Sequence, residues 1–125
     1  METVNHEYYV SLEVAKLLKQ AGFYWETRHF YNPAGDFCEA GGSAWNWNGE
    51  SETESSAPTL SVAQKWLREV KSVFLYVEPL SHTDYSITWI ARKLNGFTTQ
   101  EYATHEEAQE AGEKKALEMI LEKGE

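Results

Sequence analysis

The sequence predicts an α+β domain: three helices packed mainly on one face of an antiparallel sheet of about four strands, within a single domain spanning 1–125. Three observations predict it. Three stretches place apolar residues at three-to-four spacing behind a hydroxyl-bearing cap. Runs rich in aromatic and β-branched residues separate them. Pro79 and the Asn95-Gly96 pair supply turn signals inside the second half. A chain of 125 residues buries roughly two-thirds of its unfolded surface, enough for a core without metal or disulfide.

The first helix, "LEVAKLLKQAG", starts after Ser11 and stops at Gly22, with Val14, Leu17, Leu18 and Ala21 as its apolar stripe. "FYWETRHFY" (23–31) then reads as an aromatic strand. The second helix follows Pro58 with Thr59 as cap, and Leu60, Ala63, Trp66, Leu67 and Val70 form its apolar face. "SVFLYVE" (72–78) is apolar enough for a strand buried on both faces. A hairpin turn at 79–83 leads into the alternating run "DYSITWIARKL" (84–94), with Tyr85, Ile87, Trp89 and Ala91 on one side and Ser86, Thr88 and Arg92 on the other. A short strand is expected within 95–103. The third helix opens on the capping-box spacing of Thr104 and Glu107 and runs to about Glu122, before Gly124. Its first turns hold Glu106, Glu107 and Glu110, while Lys114, Lys115 and Lys123 lie later, as the helix dipole favours.

Two features stand apart. "SLEVAKLL" (11–18) and "TLSVAQKWL" (59–67) begin alike, which admits a degenerate helix–strand–strand repeat. Gly112 lies in a helical stripe with Ala108, Ala116 and Ile120, where glycine costs about 1 kcal/mol against alanine. Close approach of the backbone to the sheet or to a second copy would compensate. The stretch 48–57, "NGESETESSA", is polar almost throughout and is expected to be a mobile, solvated acidic loop.

The net charge of −9 and pI near 4.9 work against duplex nucleic acid, whose binding rests on Lys and Arg at phosphates, and against an anionic membrane surface. Cys38 is the sole cysteine, so no intrachain disulfide forms and a reducing interior is expected. The opening "METVNHEYYVSLEVAK" has neither a basic n-region nor an apolar h-region, and no run nears the ~18 apolar residues of a membrane span. The expectation is a cytoplasmic protein.

Catalytic and cofactor signatures are sparse. Cys38 and His29 offer a nucleophile and a base, but nothing in the flanking residues orients them. His6, His29, His82, His105 and Cys38 lack metal-ligand spacing, so no metal is expected; no phosphate-binding loop is present, so no cofactor is expected. The Val-Ala-x-Leu-Leu pattern of the first helix leads into a strand, not into a recognition helix.

The five tryptophans, seven tyrosines and five phenylalanines leave one recognition candidate. Trp45 and Trp47, two apart, share a face if they lie on a strand. They are expected first as packing or as an edge strand. Exposed beside Trp25, Tyr31 or Phe37, they would form an aromatic contact surface.

"YYVSLEVAKLLKQAGF", "APTLSVAQKWLREV" and "YATHEEAQEAGEKKALEMI" together resemble small uncharacterised proteins of gut Bacteroidales genomes, their mobile elements and their phages. The shared pattern is an opening Val-Ser-x-x-x-Ala-x-x-Leu helix, an Ala-Pro-Thr-started helix ending Trp-Leu-Arg-Glu, and a closing Tyr-Glu-x-Ala-type helix. It is densest over 57–69 and weakest over 32–56. The resemblance implies a small cytoplasmic accessory protein of phage or mobile-element origin and carries no activity, cofactor or site residue. The expected function is thus non-catalytic: an interaction protein with an unidentified protein partner or a second copy of itself. The alternative is a nucleotide-like small-molecule binder with a pocket at Phe37, Trp45 and Trp47.

Overall fold

The computed structural model describes residues 8–82 and 87–123. His6, residues 83–86 with Tyr85, Ser86 and the end of the expected hairpin turn, Gly124, and the side chains of Ser81 and His82 lie outside the described residues. The architecture is α+β. Among the described residues are four helices, α1 (Leu12–Ala21), α2 (Trp47–Glu50), α3 (Leu60–Val70) and α4 (His105–Glu122), and five strands, β1 (His29–Tyr31), β2 (Phe37–Glu39), β3 (Ser55–Ser56), β4 (Leu75–His82) and β5 (Ile87–Lys93).

The three longer helices begin as their caps dictate. Ser11, Thr59 and Thr104 accept from the backbone N–H of Val14, Val62 and Glu107, satisfying one orphan donor each. α1 ends in a Schellman motif: Gly22, at φ 94°, donates to Lys19 and the Phe23 N–H to Leu18, 3.2 and 2.9 Å. Leu18 and Phe23 thereby enter the core together. α1 gives Val14, Ala15 and Leu18 to that core, α3 gives Leu60, Ala63, Trp66 and Leu67, and α4 gives Ala116, Leu117 and Ile120, with Val73 and Leu75 beneath. Full burial of each larger side chain is worth about 1.5–3 kcal/mol.

The expected single sheet is two antiparallel sheets, one of order β2–β1–β3 and one of β4–β5. The strand expected over 23–31 shrinks to His29–Tyr31, because its start is spent on the Schellman turn and on a lone bridge from Thr27 to Trp45. The α1 and α3 caps are alike, whereas the sheets that follow differ in order and strand length. The expected strand within 95–103 survives as two bridges onto β5, Thr98 to Arg92 and Tyr102 to Trp89. Asn95, at φ 57°, takes the left-handed position of the turn that leads there.

β4 is longer than the apolar run suggests and takes in Pro79, which pairs with Trp89. Trp89 exchanges both its backbone hydrogen bonds with Tyr102, on the far side from β4. The Pro79–Trp89 pair is therefore a non-hydrogen-bonded one, and proline's missing N–H costs no ladder bond. β4 is not buried on both faces either. Leu75 is buried while Phe74 and Tyr76 stand exposed, the alternation of a half-covered sheet.

α4 covers the buried face of β4–β5. A Cβ built on Gly112 falls 2.8 Å from the Ala91 Cβ, so glycine here lets the helix lie against β5. Gly112→Ala is expected to lower stability by ~1–2 kcal/mol in urea unfolding, overpacking outweighing the gain in helix propensity. Adding Ala91→Gly should recover most of that loss; a Gly112→Ala protein more stable than wild type would refute the close approach.

The polar stretch 48–57 is not uniformly solvated. Asn48, Ser55 and Ser56 are buried, and exposure is confined to its middle. Asn48 accepts from the Ser56 N–H at 2.9 Å, donates its side-chain amide to Phe23 O at 2.8 Å, and donates its backbone N–H to Ser56 Oγ at 3.2 Å. The Lys19 ammonium donates to the carbonyls of Ser51 and Glu54. Polar side chains here replace the apolar contacts the composition lacks.

Candidate functional site

A cleft of about 400 Å³ lies where the start of α1 meets the first turns of α4. Tyr9, Tyr31, Leu12 and Leu60 form its walls, and Glu106, Glu107 and Glu110 supply the acid. Each acid is placed by a local rule. Glu107 is the fourth residue of the Thr104 capping box and takes the threonine hydroxyl at 3.0 Å. One turn on, Glu110 accepts the Ser11 N–H at 2.6 Å. A capping box on α1 would draw that carboxylate from Val14's position; here it comes from another helix, and it suits the positive end of the α1 dipole. The Tyr31 hydroxyl donates to Val10 O at 2.7 Å, and burial, then the nearby Glu110 charge, push its pKa above the ordinary tyrosine value. A carboxylate has about four lone-pair positions, so Glu107 and Glu110 keep acceptor capacity facing the cleft. Apolar walls under a carboxylate rim suit a cation on an apolar stem.

The five candidate aromatics divide among three places. Trp25 packs near Phe23 beside the core, ring centres 6.0 Å apart. Tyr31 and Phe37 are cross-strand partners in edge-on contact at 5.5 Å, and Phe37 stacks on His29 at 5.0 Å. Trp45 and Trp47 meet edge to face at 4.7 Å, with Trp47 stacked on Phe30 at 4.0 Å. Trp47 opens α2 and Trp45 sits on the lone bridge to Thr27, so they do not lie on one strand. Trp47 Nε1 donates to Thr27 O at 3.0 Å, and Trp45 stays 41% exposed. Neighbouring positions on a strand face opposite ways, so Phe30 with Trp47 and Phe37 with Tyr31 occupy opposite faces of β1–β2. Of the five, Tyr31 alone lines the acidic cleft. The sequence did carry the cleft's signal, an acidic first turn at 106–110, but read it only as dipole compensation.

The same alternation separates Cys38 from His29. Cys38 pairs with Phe30, and its thiol lies 3.4 Å from Asp36 O. His29 pairs with Glu39 on the other face, Nε2 3.5 Å from its carboxylate: ion-pair range, outside hydrogen-bond geometry. His105 is the first residue of α4 and meets Trp89 edge-on at 5.2 Å.

A second surface is apolar. Phe74, Tyr76 and Leu80 of the β4 strand region, with Leu94, stand 43–53% exposed. The Arg92–Glu78 ion pair sits among them on β4–β5, Arg92 opposite Tyr76. No described helix is long and apolar enough to cross a membrane. No protein-family model matches this chain, and neither a curated protein nor a solved structure does.

Proposed function

We propose that this is a non-catalytic interaction protein, a cytoplasmic accessory factor that holds a basic segment of a partner protein in the α1–α4 cleft. The carrying observation is the pairing of two tyrosines and two leucines with three glutamates in one cleft, on a chain of net charge −9. A lysine or arginine buries its methylenes on the rings and leucines while its charge meets the carboxylates. A second copy is the poorer partner, since it brings another −9 charge to the contact. Among the described residues β4 pairs with β5 alone, and it carries Pro79 and a bulge between Pro79 and Ser81, devices that discourage edge pairing. A nucleotide-like ligand would bring phosphate against three glutamates, and the aromatic candidates do not converge around one pocket.

The test titrates a short alternating lysine–leucine peptide, with a glutamate–leucine control, by calorimetry at low and high salt. The lysine peptide should bind and weaken as salt rises; the control should not bind. The double variant Glu106→Gln, Glu107→Gln should lose about tenfold in affinity, two rim charges at roughly 0.5–1 kcal/mol each. Glutamine also serves a capping box, so the melting temperature should barely move. No heat from millimolar lysine peptide at low salt would dispose of the proposal.

A further inference from the structure

Glu113, on α4 one turn beyond Glu110, has no exposed surface, and among the described residues neither carboxylate oxygen has a hydrogen-bond partner. A buried, ionised carboxylate without a partner is among the costliest groups a fold can hold, so it stays protonated or the structure gives way around it.

The elements packed against α4 are α1, α3, β4 and β5, and their described charged groups are committed elsewhere. On α1, Glu13 binds Lys114 at 2.9 Å, Lys19 binds the carbonyls of Ser51 and Glu54, and Lys16 is exposed. On α3, Lys65 pairs with Glu69, Arg68 is exposed, and Gln64 takes the Gln109 amide at 2.7 Å. On the strands, Glu78 and Arg92 bind each other, and Lys93 folds over Gly96. On α4 itself, Lys115 lies over the Phe97 ring at 5.1 Å, while Glu110 adds a like charge. No described cation compensates Glu113. Burial first, then Glu110, holds its pKa well above the ordinary carboxylate value.

We infer that Glu113 is a pH-sensitive latch on the packed face of α4, one turn after Gln109, which bonds Gln64 of α3, and Glu110, which holds Ser11 at the start of α1: uncharged, it lets α4 close on both; charged, it loosens that packing and releases the Ser11–Glu110 hydrogen bond. Glu110 borders the acidic cleft and Ser11 lines it, so the latch regulates access to that site; it rests on the cleft reading for this consequence alone. The sign follows from linkage. The folded chain keeps the Glu113 proton where the unfolded chain has lost it, so the contribution to stability is fullest below the ordinary carboxylate value. It is lost as pH rises through the folded one.

The experiment is amide hydrogen exchange from about pH 5 to about pH 9, corrected for intrinsic rate, on wild type and Glu113→Gln. The Ser11 amide of wild type should exchange about tenfold faster than the variant's at the alkaline end and alike at the acid end, while the β1–β2 amides of Phe30 and Cys38 match throughout. Coincident Ser11 profiles would overturn the latch, and so would equal acceleration at Phe30 and Cys38, which would mean global unfolding. Glu113→Met, apolar and of similar length, serves if the glutamine variant does not fold and should give the same flat profile. Exchange is read without ligand, so its failure is distinct from failure of the cleft to take the lysine peptide.

Discussion

Trp66→Ala is expected to cost about 3–5 kcal/mol, a large share of the roughly 5–15 kcal/mol that holds a domain folded. Trp66, on the buried face of α3, is 1% exposed and lies edge-on at 5.5 Å against Phe23, which follows the Schellman glycine of α1. Truncation opens a cavity that Leu18, Leu67 and Phe23 cannot close without moving the Schellman turn. The partly exposed Trp45 offers the contrast: Trp45→Ala should cost about 1 kcal/mol, because part of its ring surface is already in water. Urea unfolding followed by far-ultraviolet circular dichroism measures both without depending on tryptophan emission. Equal losses would mean that the core is not centred on Trp66.

Asn48→Ala is the second large effect, and it falls in the most polar stretch of the chain. The substitution strands the Ser56 N–H and the Phe23 carbonyl, both away from water, at about 1–3 kcal/mol each. A loss of about 2–5 kcal/mol follows, against at most about 0.5 kcal/mol for Glu52→Ala or Thr53→Ala at the exposed middle of the same stretch. If thermal melts place all three variants together, the stretch is an ordinary loop and Asn48 holds nothing.

The helices were legible because their signals are local. Ser11, Thr59 and Thr104 each act on a backbone N–H three residues ahead, and Gly22 ends α1 in a turn whose bonds reach back three and five residues. The bend of the polar stretch into α2 and β3 was not legible, because the partners that justify it are distant: Asn48 answers to Phe23, and Lys19 to Glu54. Nor was the split into two sheets. A run such as "FYWETRHFY" states a preference for extended backbone but not which strand will pair with it.

The candidate site was read least well, since it joins Ser11 to Glu110 across 99 positions. The sequence by itself determined the α+β class, the starts of the three longer helices and the ends of the first and last, the acidic character and the small-residue stripe on α4. Only the tertiary structure decided that Gly112 faces Ala91, that Cys38 and His29 turn away from each other, and that Glu113 lies buried without a partner among the described residues. Caps and periodicity act within about one helical turn and can be read along the chain. Burial and pairing belong to residues that become neighbours only once the chain has folded.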